Sequence, residues 1–312
     1  MGILRKDYIL DRWVYYAIDR KKRPHDFKSV ELREKSKFCF FCPSNEHLTP
    51  EEIGRLEYKN DWKMRWFLNK FPAIEQKGKP FFKSKKFFFE GNAYGIHEVI
   101  VETRHHKSQL ADLPVSEIEE LFGIYKFRIN YLSRTKGIKY VLVFKNFGKD
   151  AGTSLSHSHS QVVALPQVPS LVQAECDAAK KFKKCPHCEI IRLELNSKRK
   201  IFETENVIAI APYASVFNYE AHIFVKKHKR TFDELEENEV RDLARALKLI
   251  IVKLKSINAS YNYYVHYSPK NEDLHFHIEV TPRTALWGGF ELGTGCIINS
   301  VMPEDAAKFY RG

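Results

Sequence analysis

Apolar and polar positions along this chain fall into a pattern that occurs twice. A strand-like run at residues 97–101 is followed by a helical stripe in which Ile118, Leu121, Phe122, Tyr125, Ile129 and Leu132 recur every three or four residues. Ser116 and Glu119 stand at capping-box spacing ahead of it. A second strand-like run, residues 139–144, comes next. In the other half of the chain, runs at 207–211 and 221–225 precede a helical stripe of Leu235, Val240, Leu243, Leu247, Ile250, Ile251 and Leu254. Thr231 and Glu234 have the capping spacing there, and residues 261–267 read as the strand that follows.

The same chemistry punctuates both copies. Cys39-Phe40-Phe41-Cys42 and Cys185-Pro186-His187-Cys188 open them, His106 and His228 stand before the helices, and His157-x-His159 and His275-x-His277 close them. Order and spacing match, which an internal duplication explains. The break falls at residues 165–170, where Pro166 and Pro169 interrupt a strand before a helix-like segment at 171–183. We therefore expect an N-terminal domain of residues 1–168 and a C-terminal domain of residues 169–312.

Two thiolates and two imidazoles per copy make a Cys2His2 set, the closed coordination of structural zinc. The spacing predicts one site from Cys39, Cys42, His106 and His157, and a second from Cys185, Cys188, His228 and His275. Iron is an alternative at the second. His105 and His187 compete for ligand roles, while Cys176 and Cys296 have no partner by spacing and read as ordinary buried thiols.

A chain of 312 residues, 44% of them hydrophobic, can bury two cores. With no apolar run of about 20 residues and no basic-then-apolar leader, it reads as an unexported cytoplasmic protein without a membrane partner. Reduced thiolates suit that compartment. A net charge of +12 favours anionic partners, but the lysines are scattered, so phosphorylated small molecules fit better than nucleic acid.

One copy carries features that the other lacks. Before His157 the segment 145–154 supplies Gly148 and Gly152, which let backbone amides approach a phosphate, and Asn146, Ser154, Lys145 and Lys149, which can contact its oxygens. The matching segment 268–273 has no glycine and two carboxylates. Gln161, a neutral donor, is answered by Glu279, whose charge would oppose a phosphoryl oxygen. His159 is therefore the expected nucleophile, Gln161 its helper, and His277 a silent counterpart.

The His157-Ser158-His159-Ser160-Gln161 segment and the loop before it resemble the galactose-1-phosphate uridylyltransferase family of the histidine triad superfamily. Asp11-Arg12-Trp13-Val14, residues 20–27 and the Asn69-Lys70-Phe71-Pro72 turn are similar to other motifs of that family. The resemblance implies an α+β fold of two tandem histidine-triad-like domains, each an antiparallel sheet packed with helices. It implies ping-pong transfer through a nucleotidyl-histidine, with Asn69 at the nucleoside and Glu291 at the hexose, and a homodimer in which the partner completes the sugar site. The substrates would be a nucleotide sugar and a sugar 1-phosphate.

The expected activity is that of a UDP-glucose–hexose-1-phosphate uridylyltransferase. His157-Ser158-His159 stands where the galactose-pathway enzymes usually have His-Pro-His, and with segment 288–296 it resembles the ADP-glucose phosphorylase branch. An ADP-glucose phosphorylase or related adenylyltransferase is thus the first alternative, and a non-enzymatic zinc module that binds nucleic acid is the second.

Overall fold

The computed structural model describes residues 2–22 and 38–312. Arg23, Pro24, His25, Asp26 and Phe27 of the opening motif lie outside the described residues. The first half runs β1 (Ile3–Lys6), β2 (Trp13–Tyr16), β3 (Glu52–Tyr58), β4 (Asp61–Leu68), β5 (Phe82–Lys85), β6 (Phe88–Gly91), β7 (Ile96–Val101), α1 (Val115–Ser133), β8 (Tyr140–Phe147) and β9 (His159–Leu165). The second runs α2 (Ser170–Ala179), α3 (Pro186–Glu194), β10 (Lys200–Glu203), β11 (Val207–Ile210), β12 (Ala221–Val225), α4 (Glu237–Ser256), β13 (Tyr261–His266), β14 (His277–Pro282), α5 (Gly289–Thr294), β15 (Ile297–Asn299) and α6 (Pro303–Arg311).

Among the described residues, ten strands form one antiparallel sheet in the order β10-β11-β12-β14-β13-β8-β9-β7-β4-β3. From the middle outward the order is the same on both sides: β8, β9, β7, β4, β3 in one direction and β13, β14, β12, β11, β10 in the other. The α+β expectation holds, and the sheets of the two copies join edge to edge. The seam pairs β8 with β13, setting Asn146 opposite Asn262 and Val143 opposite Val265.

Strand alternation sorts this sheet into two faces. Val141, Val143, Val162 and Ala164 pack on one face with the stripe of α1, and Val207, Ala209, Ile223 and Val225 with that of α4. On the other face Phe67, Val99 and Val101 form the floor beneath Phe41, while Ile208, Ile210 and Phe224 meet Ile190 and Ile191 of α3. Each large apolar side chain so buried contributes about 1.5–3 kcal/mol. Helices α1 and α4 thus hold the back of the sheet, while the opposite face carries α3 in the second copy and is left for the site in the first.

The helix stripes match the expected positions except at Leu235, which precedes α4, but the helix starts do not. Pro114 is the N-cap of α1, and Ser116 lies within the helix. Thr231 opens a short 3-10 turn, and α4 starts later behind Glu236, which forms a capping box with Glu239. In both cases a Ser/Thr–Glu pair at the right spacing competed with a second polar pair or a proline nearby, and the buried stripe set the boundary. The helix-like 171–183 segment ends earlier, at Ala179, and Cys185 caps a separate helix, α3.

Candidate active site

The strand pairing builds the site. Val101 lies opposite His159 and Val99 opposite Gln161, so His159 and Gln161 share the face floored by Phe67, Val99 and Val101. His159 Nδ1 lies 2.8 Å from the carbonyl oxygen of His157. A carbonyl can only accept, so Nδ1 carries the ring proton and Nε2 holds the lone pair. Burial and then the Lys145 ammonium lower the pKa of His159, which keeps the imidazole neutral.

His159 lines two adjoining cavities. One, of about 490 Å3, is walled by Asn146, Gly148, Lys149 and Ser154. The other, of about 430 Å3, is lined by Phe41, Phe67, Asn69, Ser154 and Gln161. Gly148 has φ 84° and its α-carbon lies so close to Ser260 that a Cβ would sit 2.3 Å from the hydroxyl. Only glycine admits that approach of loop and strand. The loop leads from the end of β8 toward β9.

His277 repeats the backbone geometry of His159 in the second half, with Nδ1 2.8 Å from the carbonyl oxygen of His275. There the likeness ends. His277 Nε2 lies 3.3 Å from Glu279 Oε1, and the adjoining cavity holds only about 20 Å3.

Two Cys2His2 clusters come together as the spacing predicts, Cys39, Cys42, His106, His157 and Cys185, Cys188, His228, His275. Cys39 Sγ and Cys42 Sγ lie 3.5 and 3.7 Å from His157 Nδ1, and Cys42 Sγ lies 3.5 Å from His106 Nδ1. The second cluster has distances of 3.8, 3.5 and 3.5 Å. Metal–sulfur bonds of about 2.3 Å and metal–nitrogen bonds of about 2.0–2.1 Å at a tetrahedral angle put donor atoms roughly 3.5–3.6 Å apart, so both sets fit a tetrahedral ion. The far nitrogens are held as well. His157 Nε2 donates to the carbonyl of Thr103 at 2.6 Å, His275 Nε2 to that of Val225 at 2.7 Å, and His228 Nε2 lies 2.8 Å from Asp273 Oδ1. Those bonds leave each Nδ1 lone pair toward the sulfurs. Burial lowers both His157 and His275 to about 4, the neutral form a metal requires. His105 is exposed and outside the cluster, and His187 stacks on His277 instead.

Four of the expected substrate contacts, Asn69, Asn146, Ser154 and Lys145, border the cavities. Lys145, however, has its ammonium fully engaged by protein groups. It shares a face of β8 with Val141 and Val143, is 1% exposed, and donates to Glu102 Oε2 at 2.6 Å, Ser158 Oγ at 3.1 Å and the carbonyl of His159 at 2.9 Å. All three of its protons are engaged behind the strand, so it supports the His157–His159 segment rather than a phosphate. Glu291 caps α5 by accepting the Gly288 N–H at 2.8 Å and is not among the residues lining the His159 cavities.

Sequence reasoning missed several neighbours. Glu102 and Asn262 gave no local signal, because their partners lie on other strands. Glu175, His266, His277 and Glu279 also converge closely enough to hold a cation, and Glu220, His222 and Glu279 form another group that shares Glu279 with it. Glu279 is held well below the carboxylate range: burial opposes this, but His222, His277 and His266 overcome it.

The comparisons agree with this architecture. An ADP-glucose phosphorylase from Arabidopsis thaliana is 36% identical over 99% of this chain and 92% of its own length. A galactose-1-phosphate uridylyltransferase from Thermotoga maritima is 31% identical over 99% of this chain and 97% of its own. The crystal structure of an Arabidopsis thaliana ADP-glucose phosphorylase with bound ADP-glucose superimposes with a TM-score of 0.85 at 33% identity, covering 100% of this chain and 99% of that one. Residues 4–169 match the family model described as galactose-1-phosphate uridyl transferase, N-terminal domain, and the chain belongs to that family as a nucleotidylyltransferase.

Proposed function

We propose that this enzyme moves a nucleoside monophosphate from a nucleotide sugar to a sugar 1-phosphate through His159, as a UDP-glucose–hexose-1-phosphate uridylyltransferase. The observation that carries the reading is the contrast between two imidazoles with the same backbone bond. His159 opens on cavities of about 490 and 430 Å3, whereas His277 faces Glu279 beside one of about 20 Å3.

His159 Nε2 attacks the α-phosphorus. The bond from that phosphorus to the bridging oxygen breaks, and the sugar 1-phosphate leaves with the electron pair. An oxygen of the second sugar phosphate then attacks the same phosphorus, and the P–N bond breaks to return the neutral imidazole. Throughout, the His157 carbonyl accepts the Nδ1 proton and stabilises positive charge developing on the ring. Gln161, Asn146 and Ser154 serve the phosphoryl oxygens, Asn69 the nucleoside, and Glu291 a hexose in a site completed across a homodimer. We assign zinc to both Cys2His2 clusters, since two thiolates and two imidazoles select it over iron. Bound there, the metal would fix His157 and hence the carbonyl that orients His159. The two copies divide at residues 168 and 169, and reduced thiolates suit a cytoplasmic setting.

A second reading has support of its own. The Arabidopsis thaliana relative is an ADP-glucose phosphorylase, and Ser158 replaces the usual proline. In that case the donor is ADP-glucose and the acceptor inorganic phosphate. Exchange of labelled glucose 1-phosphate into UDP-glucose and ADP-glucose, with and without phosphate, separates the two.

The mechanism itself is tested by mass spectrometry after an alkaline quench. A nucleotidyl mass should appear on the His159 peptide, vanish in His159→Gly with zinc content unchanged, and be accompanied by metal loss in His157→Gly. Equal metal content and equal labelling in the two variants would refute this assignment of roles.

A further inference from the structure

On the same sheet face, His97 of β7 lies buried between the two amides assigned to substrate. Its Nε2 is 2.8 Å from Gln161 Oε1 and 3.2 Å from Asn69 Nδ2, and its Nδ1 is 3.3 Å from the backbone nitrogen of Ala73. The Ala73 N–H can only donate, so Nδ1 holds the lone pair and the ring proton sits on Nε2. Burial lowers the pKa of His97, leaving the ring with that single proton. The Gln161 atom facing it must therefore be the carbonyl oxygen.

That contact decides which end of Gln161 is free. With its oxygen engaged by His97, the amide directs its NH2 away from that ring; flipped, it would offer an oxygen to a phosphoryl oxygen and repel it. Asn69 turns its Oδ1 to the Phe71 N–H at 2.9 Å, so its NH2 is the group 3.2 Å from His97 Nε2; two donors do not bond, and His97 holds Asn69 through the main chain instead. The backbone continues the link: the Asn69 N–H donates to the carbonyl of His97 at 2.7 Å.

We propose that His97 is a positioning residue for nucleotidyl transfer, fixing the amide of Gln161 donor-outward and tying it to the turn at Asn69–Ala73. The inference rests on the reading of His159 as nucleophile and Gln161 as phosphoryl donor. Its effect belongs to the transfer step, since a misoriented amide withdraws a donor from the charge that develops there.

The test is the rate of nucleotidyl-His159 formation, measured by rapid quench with UDP-glucose and with ADP-glucose. Formation of the adduct in the unaltered enzyme is checked first; its absence would refute the nucleophile assignment rather than the role of His97. Given the adduct, His97→Phe should slow its formation by about ten- to a hundredfold with substrate affinity nearly unchanged. His97→Gln, which can donate to Gln161 and accept from Ala73, should restore most of the rate. His97→Asn, polar but too short to reach Gln161, should resemble the phenylalanine variant and serves if that one does not fold. In a Gln161→Ala background, His97→Phe should cost nothing further. Unaltered adduct formation in His97→Phe or His97→Asn, or losses that multiply with Gln161→Ala, would overturn the proposal.

Discussion

The side-chain amide of Asn262 donates to Asn146 Oδ1 at 2.8 Å and to the carbonyl of Ala151 at 2.8 Å, reaching from the second copy into the glycine-bearing loop that borders His159 in the first. With its oxygen accepting from Asn262, Asn146 keeps its NH2 for another partner. The second copy therefore does more than scaffold the first.

Asn262→Ala should lower kcat/KM for the nucleotide sugar by about three- to tenfold, the weight of a net hydrogen bond of about 0.5–1.5 kcal/mol. The protein should keep its metal, with an unfolding midpoint lowered only by what the two lost hydrogen bonds contribute. Steady-state kinetics beside zinc analysis checks this; unchanged kinetics would mean that the loop orients Asn146 without help from β13.

Lys145 and Glu102 form a sealed pair behind His159, with side chains 1% and 0% exposed. Lys145→Met leaves a carboxylate buried without its cation and should destabilise the fold by about 3–5 kcal/mol. Lys145→Met with Glu102→Leu should recover much of that loss. Urea unfolding of the single and double variants decides it, and a double variant no more stable than the single would count against the pair.

Without metal, burial and then Cys39 push the Cys42 thiol up to about 11, and burial and then Cys185 push Cys188 up to about 12. A metal must displace those protons, so loading releases them and affinity falls as pH falls. Dialysis against a chelator at pH 5 should strip metal that survives the same treatment at pH 8. Equal retention at both would argue against thiolate ligands.

His222 lies between Glu220 Oε1 at 2.9 Å and Glu279 Oε2 at 3.6 Å. Burial alone would lower its pKa, but Glu279 and Glu220 raise it to about 9. Against an unfolded value of about 6.5, the protonated ring contributes at most about 3 kcal/mol. That contribution is complete below about pH 6.5 and is lost as pH rises through 9. His222→Gln should flatten the decline in stability over this window, as urea titrations at a series of pH values would show. A variant with the parent's slope would place the titration elsewhere.

Much of this molecule was legible in one dimension. The helix stripes of α1 and α4, the duplication, both Cys2His2 sets and the asymmetry between Gln161 and Glu279 rest on periodicity, spacing and residue type, which survive without coordinates. The α+β architecture followed from the family resemblance that the motifs carried. Pairing across strands was another matter. Lys145 alternates onto the core face of β8 beside Val143, a choice set by strand phase, and its carboxylate comes from a strand end far away in sequence. The same holds for His97 at Gln161 and Asn262 at Asn146. Charge and hydrogen-bond partners are chosen by proximity after folding, so a sequence names the groups that can act, while only the packed sheet decides which of them face substrate and which hold the others in place.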